Sequence, residues 1–314
     1  MDIRHVAVAG TGMMGPGIAA IFALAGRRAT IVSRTAEGSA AGVAKARSLL
    51  DTLSVNGLAD PAQAKEAVTR LAPSTDPERA VQAAQLFVES IPEDLGTKQE
   101  FFARLDKASP DAILCSNTSG ISITAIASKS TRRERILTTH FWNPPYLMPL
   151  VEVVMGEWTS RQIADGVVDL LRGCGKVPVL VRQDRPGQLG NRIQHAMIRE
   201  CVNIVQEGIA TAEDVDLAVK TGVGFRLPVY GVFEHADMVG LDLVKAVQDY
   251  VLPDLSTVKE AGRLHQEKVA RGELGVKAGR GFLEWTPRKA EEVRARRDAF
   301  LIQFLRWQKA GKFS

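Results

Sequence analysis

A histidine and a glutamate lie near the two ends of the stretch HFWNPPYLMPLVEV, residues 140–153. Histidine titrates near neutral pH, so His140 could serve as an acid or a base. A carboxylate such as Glu152, hydrogen-bonded to one ring nitrogen, would fix the tautomer and stabilise the imidazolium. The spacing equally permits a strand, a proline-bent turn and a returning strand in which His140 is only packed. A lone Glu152 among valines would be a costly buried charge, which favours the pair.

A second chemical pattern is G-x-G-x-x-G at Gly10, Gly12 and Gly15, within VAVAGTGMMGPGIA. The pattern alone is weak, but here it follows an apolar strand and opens a helix, as dinucleotide binding requires. The first glycine permits the turn, the second lets the backbone approach a pyrophosphate and the third lets helix and strand pack. Met13 and Met14 are expected to line this turn without chemistry. The alternative is that the glycines serve turn geometry alone.

The next strand ends in TIVSRT, with Ser33 and Arg34 where Asp or Glu usually binds the ribose hydroxyls of NAD. A Ser-Arg pair could instead accept the 2′-phosphate of NADP. Arg34 could equally stack on adenine or point to solvent. The residues therefore predict NAD or NADP as the cofactor, leaning slightly away from strict NAD dependence.

Short apolar runs alternate with helix-like segments through the first part of the chain. This alternation predicts βαβ units and a mostly parallel sheet, and the nearly continuous apolar runs suit a sheet covered on both faces. The predicted strands are residues 5–10, 28–33, 86–91, 112–117, 136–141, 150–155 and 177–182, with helices at 15–26 and 36–53.

After residue 186 the strand signals almost disappear and helical spacing takes over. The predicted helices are residues 191–208, 211–222, 240–251, 256–272 and 287–310. The predicted fold class is therefore an α/β Rossmann domain with a mostly parallel, doubly wound sheet, followed by an all-α C-terminal domain. We place the NAD(P)-binding domain at residues 1–186 and the helical domain at 187–314. The last helix has an apolar face, which we expect to pack on its own domain or on a partner subunit.

The composition of the 314 residues is that of a soluble globular protein, with 45% hydrophobic and 24% charged residues. Three scattered cysteines give neither a disulfide framework nor a zinc motif, and no apolar run is long enough to span a bilayer. A net charge of +4 without a basic stripe argues against nucleic acid and suits an anionic small molecule. We expect a cytoplasmic protein without a cleaved signal, a membrane partner or a bound metal.

Seven motifs follow one another over nearly the whole chain. They are GTGMMGPGIA, ESIPEDLGTK, SNTSG, HFWNPPYLMPLVEV, DRPGQLGNR, MVGLD and GVKAGRGF. On these motifs the chain resembles the 3-hydroxyacyl-CoA dehydrogenase family. The resemblance implies an NAD(P)-dependent dehydrogenase acting on CH–OH groups, with the same two-domain architecture and a homodimer built by the helical domain.

The resemblance also implies roles for the residues that match the family's motifs. His140 would be the catalytic acid/base and Glu152 the group that orients it. Ser119 and Asn191 would hold the substrate oxygen, as neutral donors can while charge changes there. The cofactor contacts that the resemblance adds are Glu93, Lys98 and Asn143 at the nicotinamide end, and Lys277.

Two departures from the family pattern concern the substrate. The text N-P-P-Y, from Asn143 to Tyr146, resembles relatives that act on small compounds without coenzyme A: L-gulonate dehydrogenase of the lambda-crystallin type, L-carnitine dehydrogenase and a dehydrogenase of pyridoxine breakdown. The second departure is YGVFEHAD at residues 230–237, where Val232 replaces the family's usual proline and His235 is unusual. Next to it, Arg226 stands where many members have an uncharged residue. It could pair with a substrate carboxylate, or be a surface residue at a helix end. Trp142 and Tyr146 are further candidates for substrate contact, with a core position as the alternative for Trp142.

Two functions of different classes follow. One is hydride transfer between the nicotinamide and the alcohol or carbonyl of a small hydroxy acid or a 3-hydroxyacyl-CoA. The other is a non-catalytic, crystallin-like structural protein that retains the fold. The presence of His140, Glu152 and Asn191 argues against the second, because a purely structural protein need not keep all three.

Overall fold

The computed structural model describes residues 1–312, which form two compact units. The first contains Met1–Asn191 and Phe300–Lys312, and the second contains Arg192–Ala299. Both limits fall inside helices, Leu189–Gln206 and Pro287–Lys309. The domain limits 1–186 and 187–314 stay a prediction.

The first unit is built on a single eight-stranded sheet. The strands are β1 (His5–Ala9), β2 (Arg28–Val32), β3 (Leu71–Ser74), β4 (Leu86–Glu89), β5 (Ile113–Ser116), β6 (Ile136–Phe141), β7 (Leu150–Met155) and β8 (Val177–Val181). Their spatial order is β3-β2-β1-β4-β5-β6-β7-β8, and every neighbouring pair is parallel except β6 with β7. The order reverses between β1 and β4, and doubly wound sheets bind ligands outside the carboxyl ends of the strands at such a point.

Helices cover both faces of this sheet. Those of the first unit are α1 (Gly15–Leu24), α2 (Ala36–Val55), α3 (Pro61–Thr69), α4 (Pro77–Ala83), α5 (Leu95–Ala108), α6 (Ile123–Ala127) and α7 (Arg161–Arg172). Two buried clusters divide the side chains of β1 between them: Val6 and Val8 join one, Ala7 and Ala9 the other. Alternate side chains of a strand point to opposite faces, so each face carries its own apolar layer.

The turn after β1 depends on the absence of side chains at two glycines. Gly10 has a positive φ of 108°, and a Cβ there would lie 2.2 Å from the carbonyl oxygen of Ser90. A Cβ on Gly15 would lie 1.8 Å from the carbonyl oxygen of Gly10. The chain therefore turns tightly out of β1 and starts α1 directly against it, as the glycine pattern predicted.

The second unit is helical. Its elements follow as α8 (Leu189–Gln206), α9 (Ala212–Thr221), α10 (Val223–Arg226), α11 (Val232–Val239), α12 (Leu241–Val251), α13 (Arg263–Ala270) and α14 (Pro287–Lys309). Within residues 192–299 the only pairing of strand type is a set of isolated bridges around Arg280. The predicted fold class, a Rossmann domain followed by an all-α domain, is confirmed.

Two elements differ from the prediction. The short strand β3, LAPS, was not predicted: it contains Pro73 and lies at the sheet edge, where a missing N–H costs no ladder bond. The helix predicted at 256–272 is helical only over Arg263–Ala270. Ser256 instead donates its backbone N–H to Glu200, 2.8 Å away, so this segment satisfies its backbone through a side chain rather than a helical bond.

The end of α14 packs within the first unit. Leu301, Ile302 and Leu305 lie against a buried cluster that includes Leu53 and Leu147. This part of the apolar face thus packs on the first unit of the same chain, rather than on the helical domain or a partner subunit as predicted. No helix among residues 1–312 is both long and apolar enough to cross a membrane.

Candidate active site

His140 and Glu152 face each other across two neighbouring strands. The antiparallel register of β6 and β7 pairs these two residues directly. His140 Nδ1 lies 2.6 Å from Glu152 Oε2, and both side chains are buried. The chain turns back between β6 and β7, so these two residues lie side by side although they are twelve positions apart in the sequence.

Glu152 is surrounded by hydrogen-bond donors. Burial opposes its ionisation, but the His140 hydrogen bond, the Gly190 N–H at 2.8 Å and the Trp142 indole N–H at 3.0 Å outweigh burial and lower the pKa of Glu152. An ionised carboxylate can only accept hydrogen bonds, so the Nδ1 of His140 is the donor in this pair. Glu152 engages only Nδ1, so Nε2 is the ring nitrogen that this carboxylate leaves unoccupied.

The loop between the two strands spans residues 142–149 and includes Asn143, which is exposed, and Tyr146. The buried ammonium of Lys176 donates to the carbonyl oxygens of Pro145 at 2.6 Å and Met148 at 2.8 Å. Burial lowers the pKa of Lys176 to about 8. This lysine therefore anchors the loop from within.

A second polar network lies at the carboxyl ends of β4 and β5. Lys98 is buried and forms ion pairs with Glu89 at 2.5 Å and Glu93 at 3.1 Å. Glu93 also accepts from the hydroxyl of Thr118 and the backbone N–H of Ser119, each at 2.8 Å. Burial opposes ionisation of Glu93, yet the Ser119 N–H, Lys98 and Thr118 together lower its pKa.

Asn191 belongs to the same region as Ser119. Its Nδ2 donates to the Ser119 carbonyl oxygen at 2.8 Å, and the Ser119 side chain is exposed. The structure thus brings Ser119, Asn191, Glu93 and Lys98 into one connected set, with Gly190 linking the start of α8 to Glu152.

The glycine loop has the features that a dinucleotide would need. A Cβ on Gly12 would meet no atom within 4 Å, so the backbone there is open to approach. Met14 precedes α1 and gives it no side-chain cap, which leaves the first N–H groups of the helix available to an anion. Met13 is exposed beside them. These residues fit a pyrophosphate-containing cofactor.

The end of β2 lacks an acidic side chain. Ser33 donates its backbone N–H to Ser74 at 3.1 Å, and its hydroxyl lies close to Gly38. Arg34 is exposed and forms no hydrogen bond or ion pair with any residue of 1–312. The position that reads the ribose in NAD enzymes is thus held here by a hydroxyl and a free cation.

Comparison with known proteins places this site in a family. A family model described as "3-hydroxyacyl-CoA dehydrogenase, NAD binding domain" matches residues 5–185, and "3-hydroxyacyl-CoA dehydrogenase, C-terminal domain" matches residues 187–285. The chain belongs to the 3-hydroxyacyl-CoA dehydrogenase family. The resemblance found from the motifs is confirmed, and so is the prediction of a dehydrogenase that uses a nicotinamide cofactor.

Relatives within the 3-hydroxyacyl-CoA dehydrogenase family differ in their named substrates. The 5-formyl-3-hydroxy-2-methylpyridine 4-carboxylate 5-dehydrogenase of Mesorhizobium japonicum is 33% identical over 305 residues, 96% of each chain. A crystal structure of an enzyme of that name, described as an NAD+ dependent dismutase, has a TM-score of 0.89 at 33% identity and covers 99% of both chains. The human mitochondrial hydroxyacyl-coenzyme A dehydrogenase is 34% identical, over 90% of this chain and 91% of its own.

Two predicted contact residues, Arg226 for the substrate and Lys277 for the cofactor, lie in the other unit. Arg226 ends α10 and Lys277 lies in the bridged segment near Arg280, and both are exposed. Residues 1–312 contain no group of three or more His, Cys, Asp or Glu side chains placed to hold a metal ion.

Three contacts were missed by the sequence analysis. The indole N–H of Trp142 reaches Glu152, Lys45 on α2 donates to the Gly12 carbonyl at 3.1 Å, and Glu89 pairs with Lys98. Trp142 is two residues from His140, so a shared side of the strand was the available signal. A carboxylate ending the apolar run LFVE was the corresponding signal for Glu89.

Proposed function

We propose that the protein catalyses hydride transfer between NAD and the alcohol or carbonyl of a small hydroxy acid or a 3-hydroxyacyl-CoA, with His140 as the acid/base. The single observation that carries this proposal is the buried His140–Glu152 pair, joined at 2.6 Å. Nδ1–H of His140 is engaged by Glu152, so Nε2 takes the hydroxyl proton during oxidation and returns it during reduction. Glu152 orients the ring and stabilises the imidazolium that forms.

The substrate oxygen is assigned to Ser119 and Asn191. Asn191 Nδ2 lies 2.8 Å from the Ser119 carbonyl oxygen, and this contact supports placing both residues beside the same substrate oxygen. Neutral donors are suited to an oxygen that gains and loses charge, because they stabilise it without trapping it as an alkoxide.

The cofactor is assigned to the glycine loop, with Gly10, Gly12 and Gly15 in the turn and Met13 and Met14 beside it. NAD, when bound, supplies the hydride acceptor. The residues assigned to its nicotinamide end are Glu93, Lys98 and Asn143, with Lys277 as a further contact. Ser33 and Arg34 contact the ribose end, where the absence of a carboxylate removes the repulsion that would exclude NADP.

The substrate is assigned to the class of small carboxylates. The double proline after Asn143 and the likeness over 99% of both chains to a dehydrogenase of a pyridine carboxylate support this class. Trp142 and Tyr146 would line the substrate, and Arg226 would pair with its carboxylate in a bidentate manner.

A substrate panel tests the proposal. Absorbance at 340 nm (the NADH band) is followed with NAD+ or NADP+ against small hydroxy acids and 3-hydroxyacyl-CoAs, and cofactor-induced thermal shift is measured in parallel. We expect turnover with at least one hydroxy acid and a positive shift with NADH. No turnover with any compound, together with no thermal shift, would favour the non-catalytic, crystallin-like alternative.

A further inference from the structure

We propose that Trp142 is a positioning residue whose indole N–H holds the Glu152 carboxylate in the orientation that serves His140. This inference rests on the acid/base role proposed for His140, and it adds a third member to that pair. Ring packing alone would not require the N–H, whereas the hydrogen bond to Glu152 does.

The donors around Glu152 divide unequally between its two oxygens. Oε2 takes His140 Nδ1 at 2.6 Å and Trp142 Nε1 at 3.0 Å, while Oε1 takes the Gly190 N–H at 2.8 Å. Glu152 is fully buried, so protein donors have to do what water does at a surface. With a donor on each oxygen and a second on Oε2, the carboxylate plane cannot turn without breaking a bond to a buried charge.

The indole is itself held in place by the start of α8. A Cβ built on Gly190 would lie 2.5 Å from Trp142 Cζ2 and 3.3 Å from Cε2 and Cη2. The absence of a side chain at Gly190 therefore lets the ring lie against the same residue whose N–H binds Glu152. The rings of His140 and Trp142 are 5.7 Å apart and inclined at 52°, and both donate to Oε2 of Glu152.

Sharing Oε2 between two donors also moderates how strongly Glu152 attracts the proton of His140. Without the indole N–H, more of the negative charge on Oε2 would be directed at the imidazole. The imidazolium would then be favoured, and the neutral base would form only at higher pH. Trp142 thus tunes the pH at which His140 can act, as well as the position of the carboxylate.

The test is the pH–kcat profile of Trp142→Phe, which keeps an aromatic ring and removes the N–H. For alcohol oxidation we expect the acid limb to move up by roughly 0.5 pH unit, with unchanged NADH affinity. The low-field Nδ1 proton of His140, observed by NMR without cofactor, should move as well. The matched control is Trp158→Phe, which removes an indole that stacks on Arg133 at 4.4 Å. That variant should reproduce the wild-type profile.

A second variant tests the inference in case Trp142→Phe fails to fold. Gly190→Ala keeps both donors but pushes the indole from its position, and it should move the acid limb in the same direction. If Trp142→Phe lowers kcat while the limb stays in place, Trp142 only packs or lines the substrate and the inference is wrong. If His140→Gln leaves the rate unchanged, the proposed function itself has failed, whatever Trp142 does.

Discussion

At the scale of single residues, the chemistry depends on how donors are matched to carboxylates. Glu152 and Glu93 are each held ionised against the cost of burial by neighbouring donors. The sequence identified both carboxylates but not all their partners, because a hydrogen bond from Trp142 or Thr118 depends on side-chain directions that spacing does not fix. His140 on β6 and Glu152 on β7 could be predicted from the sequence, whereas the donors around them could not.

Arg34 provides a prediction about cofactor choice. It is exposed, unpaired and placed at the end of β2, where a cation could bind the 2′-phosphate of NADP. We expect Arg34→Ala to weaken the binding of NADPH by about tenfold, because one charge-assisted contact is lost. The affinity for NADH should stay nearly unchanged. Titration of both cofactors by fluorescence measures this, with Arg28→Ala as an exposed control on the same strand. An equal loss for NADH and NADPH would show that Arg34 does not read the phosphate.

At the scale of elements, the site depends on short connections between well-buried strands. The predicted limits of β6 and β7, 136–141 and 150–155, agree with the structure. LVEVVM is nearly continuously apolar between Pro149 and Gly156, and ILTTHF is rich in β-branched and apolar residues that favour strands. Strand β3 and the segment before α13 were missed or misassigned because their residues carry little apolar periodicity. The loop between β6 and β7 depends on Lys176, which lies far from it in sequence and could not be inferred.

The glycine loop provides a matched pair of variants. Gly15→Ala places a Cβ 1.8 Å from the Gly10 carbonyl oxygen, so we expect it to lower stability by about 2 kcal/mol or more. Gly12→Ala meets nothing within 4 Å, so it should fold normally but lose cofactor affinity, since its methyl group occupies the space a pyrophosphate needs. Thermal melts with and without NADH distinguish the two. An unchanged NADH-induced shift in Gly12→Ala would place the cofactor elsewhere.

Lys176 gives the stability a defined pH dependence. Burial lowers its pKa from 10.5 to about 8, so the unfolded chain binds more protons than the folded chain between these values. The charged lysine therefore costs stability below pH 8, and this cost is relieved as pH rises toward 10.5. Relative to Lys176→Met, the wild type should gain up to about 3 kcal/mol across this window, as measured by urea unfolding. A difference that does not change with pH would contradict the assignment.

At the scale of the whole molecule, the helical unit leaves much apolar surface uncovered. Phe233 is 84% exposed and Tyr250 is 87% exposed, and Met238 and Leu241 lie exposed between them in sequence. Exposed apolar surface of this extent is typical of a subunit interface. The homodimer implied by the family resemblance would cover it, and we propose a second copy of this chain as the partner.

Light scattering after size exclusion tests the homodimer. A subunit of 34.0 kDa should elute with the mass of a dimer, and Phe233→Glu should shift it toward the monomer because it buries an unpaired charge in the interface. Val55→Glu alters an equally exposed residue at the end of α2 and should leave the mass unchanged. A monomeric wild type, or a dimer that tolerates Phe233→Glu, would contradict this interface.

In the proposed reaction His140, held by Glu152, moves the proton during hydride transfer. The most direct measurement is the turnover of His140→Gln at 340 nm with the hydroxy acid that the wild type oxidises, together with its NADH affinity. If His140 is the general base, its replacement should lower turnover by roughly 10²- to 10⁴-fold, the usual contribution of such a group. The affinity for NADH should be retained. Wild-type turnover in His140→Gln would show that the base lies elsewhere.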